Sequence, residues 1–486
     1  MSAILSPSQL TPAGSGKPIL PVSEIDASCR VPVLLLFVSA AIWLLISSVF
    51  EMIAMLNFHS VHVLASCPCF TYGRIHPAQT NTFLYGFAAS AGLGVMLWLI
   101  ANLGRARLAM PLITVIGAVL WQAGLALGIL GILGGDNTGF EWLELPRYAS
   151  VTMFLGYICI GLGALVTLHQ RREQPIFISL WFVLAALFWF PWIYSTANLL
   201  LVAKPVRGAL QAGIDWWYAN NLATIWFGFI GLAAIFYFIP KVTRRPLQSH
   251  YLGVFIFCTL ALTGSWGGIP PAAPLPAWMP ALSTMGSVLT VVPILAVAMC
   301  VRGTMAGDYS KLRESRPFKF ILFGVIAYII GGLTGAAASL SEISKVTNFT
   351  WFVPAQSQFV LYGFFAMTMF GAIYYIVPRL LGTEFCKPGF ICLHFTLAAL
   401  GILFYALPLA IGGIVQGQML NDPANAFQAV TLKTLMFLRV STLGDLLMAL
   451  GHIVLLVNLF GILLRVGRTS AVAFYTENTR TLEVAS

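Results

Sequence analysis

Twelve apolar stretches, each long enough to cross a bilayer, constrain this chain more than any other feature. They lie near 32–57, 81–101, 108–133, 150–169, 176–202, 219–240, 250–269, 280–301, 318–342, 356–380, 390–415 and 440–465. A spanning helix needs about 20 apolar residues and satisfies its own backbone polar groups, so hydropathy alone identifies such segments. Charged residues make up only 9% of the 486 residues, against 59% hydrophobic ones, too little charge to cover a water-soluble fold of this size. The expectation is an all-α polytopic membrane protein whose largest partner is the lipid bilayer.

The loops orient the bundle. Loops 2–3, 4–5, 6–7, 8–9 and 10–11 and the two tails hold 19 of the 26 Lys and Arg residues; the opposite side holds Arg74, Arg147, Lys204, Arg207, Lys345, Lys433 and Arg439. The positive-inside rule puts the basic side, and both termini, in the cytoplasm. The net charge of +10 is thus read as loop bias and not as a nucleic-acid surface. Residues 1–30 are expected to form a cytoplasmic N-terminal tail, 31–466 the twelve-helix domain and 467–486 a cytoplasmic C-terminal tail. No leading apolar signal core is seen.

Candidate chemistry is sparse. The spacing His59-x2-His62-x4-Cys67-x-Cys69, with His76 nearby, gathers soft ligands at the outer face; it matches no standard metal site, and a polar interfacial loop accounts for it equally well. Glu51 and Asp445 are carboxylates within apolar segments, which makes them functional candidates, Glu51 as a proton acceptor or as a partner of Arg74. The chain has seven histidines, of which only His452 is expected deep in the membrane; His169, His250 and His394 fall at the cytoplasmic ends of helices. The eight cysteines form no CxxC pair and read mostly as small hydrophobes.

Three stretches carry a resemblance. Tyr72-Gly-Arg-Ile-His-Pro-Ala-Gln-Thr-Asn81 resembles a GRLRPLHTN pattern. Trp216-Trp-Tyr-Ala-Asn-Asn221, followed by Tyr237-Phe-Ile-Pro-Lys241, resembles WWYGHN followed by YFVPK. Phe352-Val-Pro-Ala-Gln-Ser-Gln-Phe359, through Tyr375-Ile-Val-Pro-Arg379, resembles a GHVH helix with its IPK end. Together they resemble subunit I of the heme-copper oxidases, most of all the cbb3-type cytochrome c oxidase subunit I, over nearly the whole chain. The resemblance implies a cytochrome oxidase subunit I-like bundle of twelve transmembrane helices. It further implies heme b, a high-spin heme b3 and copper, held by histidines and used for oxygen reduction coupled to proton translocation.

Carried onto this sequence, that ligand set is replaced. The low-spin heme positions fall on Gln79 and Gln358, the high-spin heme position on Gln356. The copper positions fall on Asn220 and, with a less certain alignment, Trp266 and Gly267. The tyrosine of the oxygen site falls near His250 and Tyr251, and a glutamate of the proton route near Thr334. Glu144, Arg147 and Arg74 resemble the surroundings of heme propionates and are expected to pair with one another or with Asp215. Amides are poor ligands for heme iron and copper, and Gln79 and Gln358 are expected to hydrogen-bond to each other instead.

The function implied is a subunit I-like membrane subunit of a respiratory electron-transfer complex in a bacterial inner membrane, without a working heme b3–copper oxygen site. Its expected partners are a membrane-anchored cytochrome c subunit or other respiratory subunits. One alternative keeps heme b through atypical ligands; another, of a different class, is a secondary transporter, for which no inverted repeat is seen.

Overall fold

The computed structural model describes residues 20–60, 64, 66–173, 176–307 and 315–485, with side chains up to residue 469. It is an all-helical bundle. Eleven helices have the length and composition to cross a membrane: α1 (Val22–His59), α2 (Tyr72–Gly104), α3 (Pro111–Gly134), α4 (Arg147–His169), α5 (Ile178–Ala203), α6 (Leu210–Thr243), α8 (Trp278–Met305), α9 (Arg316–Ala338), α10 (Phe352–Leu381), α11 (Pro388–Leu420) and α12, apolar over Phe427–Thr469. The twelfth expected span is the shorter α7 (His250–Gly264).

Three helices form the centre. The most apolar 18-residue stretches of α2, α10 and α6 are 100%, 89% and 83% buried, against 39–56% for the other long helices. These three carry Gln79, Gln356, Gln358 and Asn220. The surrounding helices turn large apolar residues such as Leu130, Leu262 and Leu464 outward, a ring suited to hydrocarbon. Neighbours pack closely through glycine: a Cβ on Gly444 of α12 would stand 2.4 Å from the Tyr405 backbone nitrogen and 2.6 Å from the Gly401 carbonyl of α11. Small residues at a crossing let two backbones approach, the usual device of membrane helices.

Three expectations change in the structure. Helix α1 begins at Val22, inside the stretch expected to be a free tail. Asp26 explains why: it accepts from Trp98 Nε1 (2.9 Å) and Asn102 (3.1 Å) of α2 and pairs with Arg379 of α10 at 3.1 Å. A buried carboxylate needs such partners, and they fix the first turns of α1 to the bundle. At the other end, α12 continues to Ala485 through the segment expected as a tail. Helix α7 stops at Gly264 and does not reach residue 269, for a reason that lies on α6 and is described next.

Candidate functional site

Each innermost helix contains a wide π-helical turn: Thr82–Ala88 in α2, Asn221–Phe227 in α6 and Phe359–Ala366 in α10. They begin just after Gln79, Asn220 and Gln358. Such turns are rare and cluster at functional positions, because the extra residue re-aims the side chains around it. A fourth, Asn198–Ala203, ends α5.

At the α6 position, Asn220 donates to the Gly264 carbonyl (2.8 Å) and accepts from Thr224 Oγ1 (3.2 Å). Its neighbour Asn221 donates to Ser265 O (3.0 Å) and Trp217 O (2.9 Å) and accepts from Trp189 Nε1 (3.1 Å). The two amides therefore take the last carbonyls of α7, and the chain leaves the helix there. Gly268, at φ +102°, lies so close that a Cβ would stand 2.5 Å from the Asn220 Cβ. Trp266 is half exposed and lines an outer apolar recess of about 280 Å³ with Trp217 and Trp278. Gly267 packs on the Asn220 amide. Asn220, Gly267 and Gly268 meet here in a hydrogen-bonded clamp, while Trp266 turns to the apolar recess.

At the first α10 position, Gln356 donates to Gly331 O (2.5 Å) and accepts from Thr334 Oγ1 (2.8 Å), both on α9. The expected high-spin heme position and the expected proton-route position are thus joined to each other. The interior between α6 and α10 is filled by Phe227, Phe364 and Phe365, with Phe227 and Phe365 ring centroids 4.7 Å apart.

Gln79 and Gln358 line a single small cavity of about 30 Å³ between α1, α2, α10 and α12. No hydrogen bond joins the two amides among the described residues. Gln79 Nε2 instead reaches Ser47 Oγ (3.4 Å), and its Oε1 accepts from Thr80 (3.2 Å). Glu51, Asp445, Ser48, Tyr362 and His452 face the same space. His452 lies deep, as expected, with both ring nitrogens engaged: Nδ1 is 2.6 Å from Ser48 Oγ and Nε2 is 2.8 Å from Tyr362 Oη.

A second histidine corrects the reading of the chain. His394 is fully buried, with Nδ1 3.0 Å from Tyr374 Oη and its ring against Phe370. Its position near the start of α11 suggests the helix end; the packing of α11 against α9 and α10 encloses it. His250 and Tyr251 do not face the interior, Tyr251 being 87% exposed.

The end of the bundle expected to face outward is organised differently from the expected arginine pairs. Glu144 accepts from Asn81 Nδ2 (2.7 Å), and Tyr85 Oη donates to Trp142 O (2.5 Å) and meets Tyr218 Oη (2.6 Å). These contacts seat the loop between α3 and α4 over α2 and α6. Burial pushes the Glu144 carboxyl up to about 7. Arg74 donates to Leu133 O (3.1 Å) and not to Glu51, and Asp215 accepts from the Glu141 backbone (3.2 Å). His59 meets Thr442, and His76 stacks on Tyr72 at 5.1 Å; Cys67 and Cys69 are free thiols, and His62 lies outside the described residues. Among the described residues, no group of three or more His, Cys, Asp or Glu is placed to hold a metal.

The fold and this arrangement define a multi-pass helical membrane subunit whose centre is built from polar positions on three buried helices. The family model for cytochrome c and quinol oxidase polypeptide I matches residues 31–447, and the chain belongs to that family. Curated relatives agree. The chain is 24% identical over 369 residues to the cbb3-type cytochrome c oxidase subunit CcoN1 of Stutzerimonas stutzeri, covering 73% of this chain and 77% of that one. It is 24% identical over 425 residues to cytochrome c oxidase subunit 1 of Rhodobacter capsulatus, covering 83% and 79%. It is 26% identical over 381 residues to a cytochrome c oxidase subunit 1 homolog of Agrobacterium tumefaciens, covering 73% and 68%.

The hemes and copper implied by the resemblance do not fit the side chains at the positions that the resemblance assigns to their ligands. Those positions offer amides, an indole and a glycine in place of imidazoles, and amides bind these metals poorly. A porphyrin is many times larger than the cavity between Gln79 and Gln358.

Proposed function

We propose that this chain is a cbb3-like subunit I whose ligand positions have been refilled by amides. It serves as a redox-silent membrane subunit of a respiratory electron-transfer complex in the bacterial inner membrane, with both termini cytoplasmic. The observation that carries this reading is the commitment of Asn220 to the Gly264 carbonyl: the side chain at a copper position is used to end α7. Gln356 is committed to α9 in the same way. Membership of the family and the basic cytoplasmic loops support the membrane and the orientation. A membrane-anchored cytochrome c subunit, docked on the outer aromatic face, is the partner this reading favours, by analogy with the relatives.

The partner is tested by purifying the tagged chain from its native membranes in mild detergent. Comigration with a c-type cytochrome at fixed stoichiometry is expected. Recovery of the chain by itself, with no heme-staining subunit, would remove the respiratory-complex reading.

A further inference from the structure

The cavity between Gln79 and Gln358 presents two carboxylates with no counter-charge. Glu51 reaches it from α1 and Asp445 from α12. Asp445 is 3% exposed, and its Oδ2 has no hydrogen-bond partner. Neither carboxylate joins an ion pair among the described residues. The titratable groups around the pair are His452, Tyr362, Tyr72 and Tyr405. His452 is engaged at both ring nitrogens: Ser48 Oγ, which donates to Leu44 O (2.9 Å), accepts from Nδ1–H, and Nε2 meets Tyr362 Oη. Two carboxylates within a membrane fold are too costly to stay charged and unpaired; they are neutralised either by protons or by a bound cation.

We propose that this space is a binding site for one divalent, oxygen-seeking cation of calcium size, with Glu51 and Asp445 as anionic ligands and the side-chain oxygens of Gln358 and Ser47 as neutral ones. The inference rests on the reading that no heme lies between the two glutamines. The donor set is all oxygen, which selects hard cations over zinc or copper. Size then decides among hard cations. A cavity of about 30 Å³ has room for an ion and on the order of one water. Magnesium keeps several waters, whereas calcium accepts six to eight mostly protein oxygens in flexible geometry. The two carboxylates match its charge, and the ion joins α1, α2, α10 and α12 across the space a low-spin heme occupies in the resemblance.

The purified full-length chain, stripped with a chelator, tests this by thermal unfolding in detergent. Calcium chloride should raise Tm saturably, by roughly 2–4 °C at concentrations well above the dissociation constant, while magnesium or sodium chloride at equal ionic strength should not. Metal analysis of unstripped protein should find about one calcium per chain, lost in Asp445→Asn and in Glu51→Gln. Each variant should still melt cooperatively and be insensitive to calcium. If either fails to fold, ⁴⁵Ca binding to the wild-type chain decides the matter. Three results overturn the site: equal Tm with and without calcium, equal effects of sodium and calcium, or a calcium response retained in both variants. A stoichiometric heme signal would remove this site and the proposed function together; a heme-free chain indifferent to calcium would remove the site alone.

Discussion

Asn221 is fully buried, and its single side chain joins α5, α6 and the end of α7 through three hydrogen bonds. Asn221→Ala leaves the Ser265 carbonyl and Trp189 Nε1 without their partner. Each unsatisfied buried group costs about 1–3 kcal/mol, so the variant should lose on the order of 2–4 kcal/mol, read as a lower Tm. Glu144 carries the clearest pH dependence outside the membrane spans. Its carboxyl is raised by burial from the ordinary 4.5 to about 7, against the opposing hydrogen bond from Asn81. Below about 4.5 the group is protonated in both folded and unfolded chains and costs nothing. Between those values the unfolded chain loses the proton and the folded chain keeps it, so stability falls as pH rises and levels off above about 7. The full effect is on the order of 3–4 kcal/mol. Glu144→Gln keeps an acceptor for Asn81 without the charge. It should match wild type in acid and exceed it in Tm at pH 8; an unchanged pH profile would contradict this assignment. His394 shows what residue-scale reading of the sequence misses: its burial depends on the packing of α11 and on Tyr374, 20 positions away, and no local signal marks that pairing.

The three π-helical turns link the residue changes to the elements. Helices α2, α6 and α10 each have a wide turn just after Gln79, Asn220 and Gln358, where the side chains are amides. Hydropathy made the spans legible in the chain, the shorter α7 included. The ends of α1 and α7 were not legible, because each is set by a distant partner: Arg379 and Trp98 for Asp26, and the paired asparagines for the carbonyls of Gly264 and Ser265. The close crossing of α11 and α12 makes a separate prediction. Gly444→Ala pushes a methyl into the backbone at Tyr405 and Gly401, where no flexible side chain can yield. It should cost about 1–3 kcal/mol and lower Tm, and Gly401→Ala should act in the same direction; unchanged melting in both would show that the crossing is looser than described.

At the scale of the whole molecule, the chain has the helical bundle of its family, and under the proposed function the chemistry of the metal positions has changed. Asn220 ends a helix, Gln356 ties α10 to α9, and Gln79 and Gln358 border a space suited to an ion. Among the described residues, the buried histidines His452 and His394 are both hydrogen-bonded to tyrosine; His452 borders the cavity of Gln79 and Gln358, with both ring nitrogens engaged by Ser48 and Tyr362. The most direct test is a dithionite-reduced minus oxidised spectrum of the purified chain, taken with iron and copper analysis. No b-type heme band and less than about 0.1 iron or copper per chain are expected, an order-of-magnitude threshold for a chain with amides at the positions the resemblance assigns to heme ligands. A b-type signal at one heme per chain would contradict it.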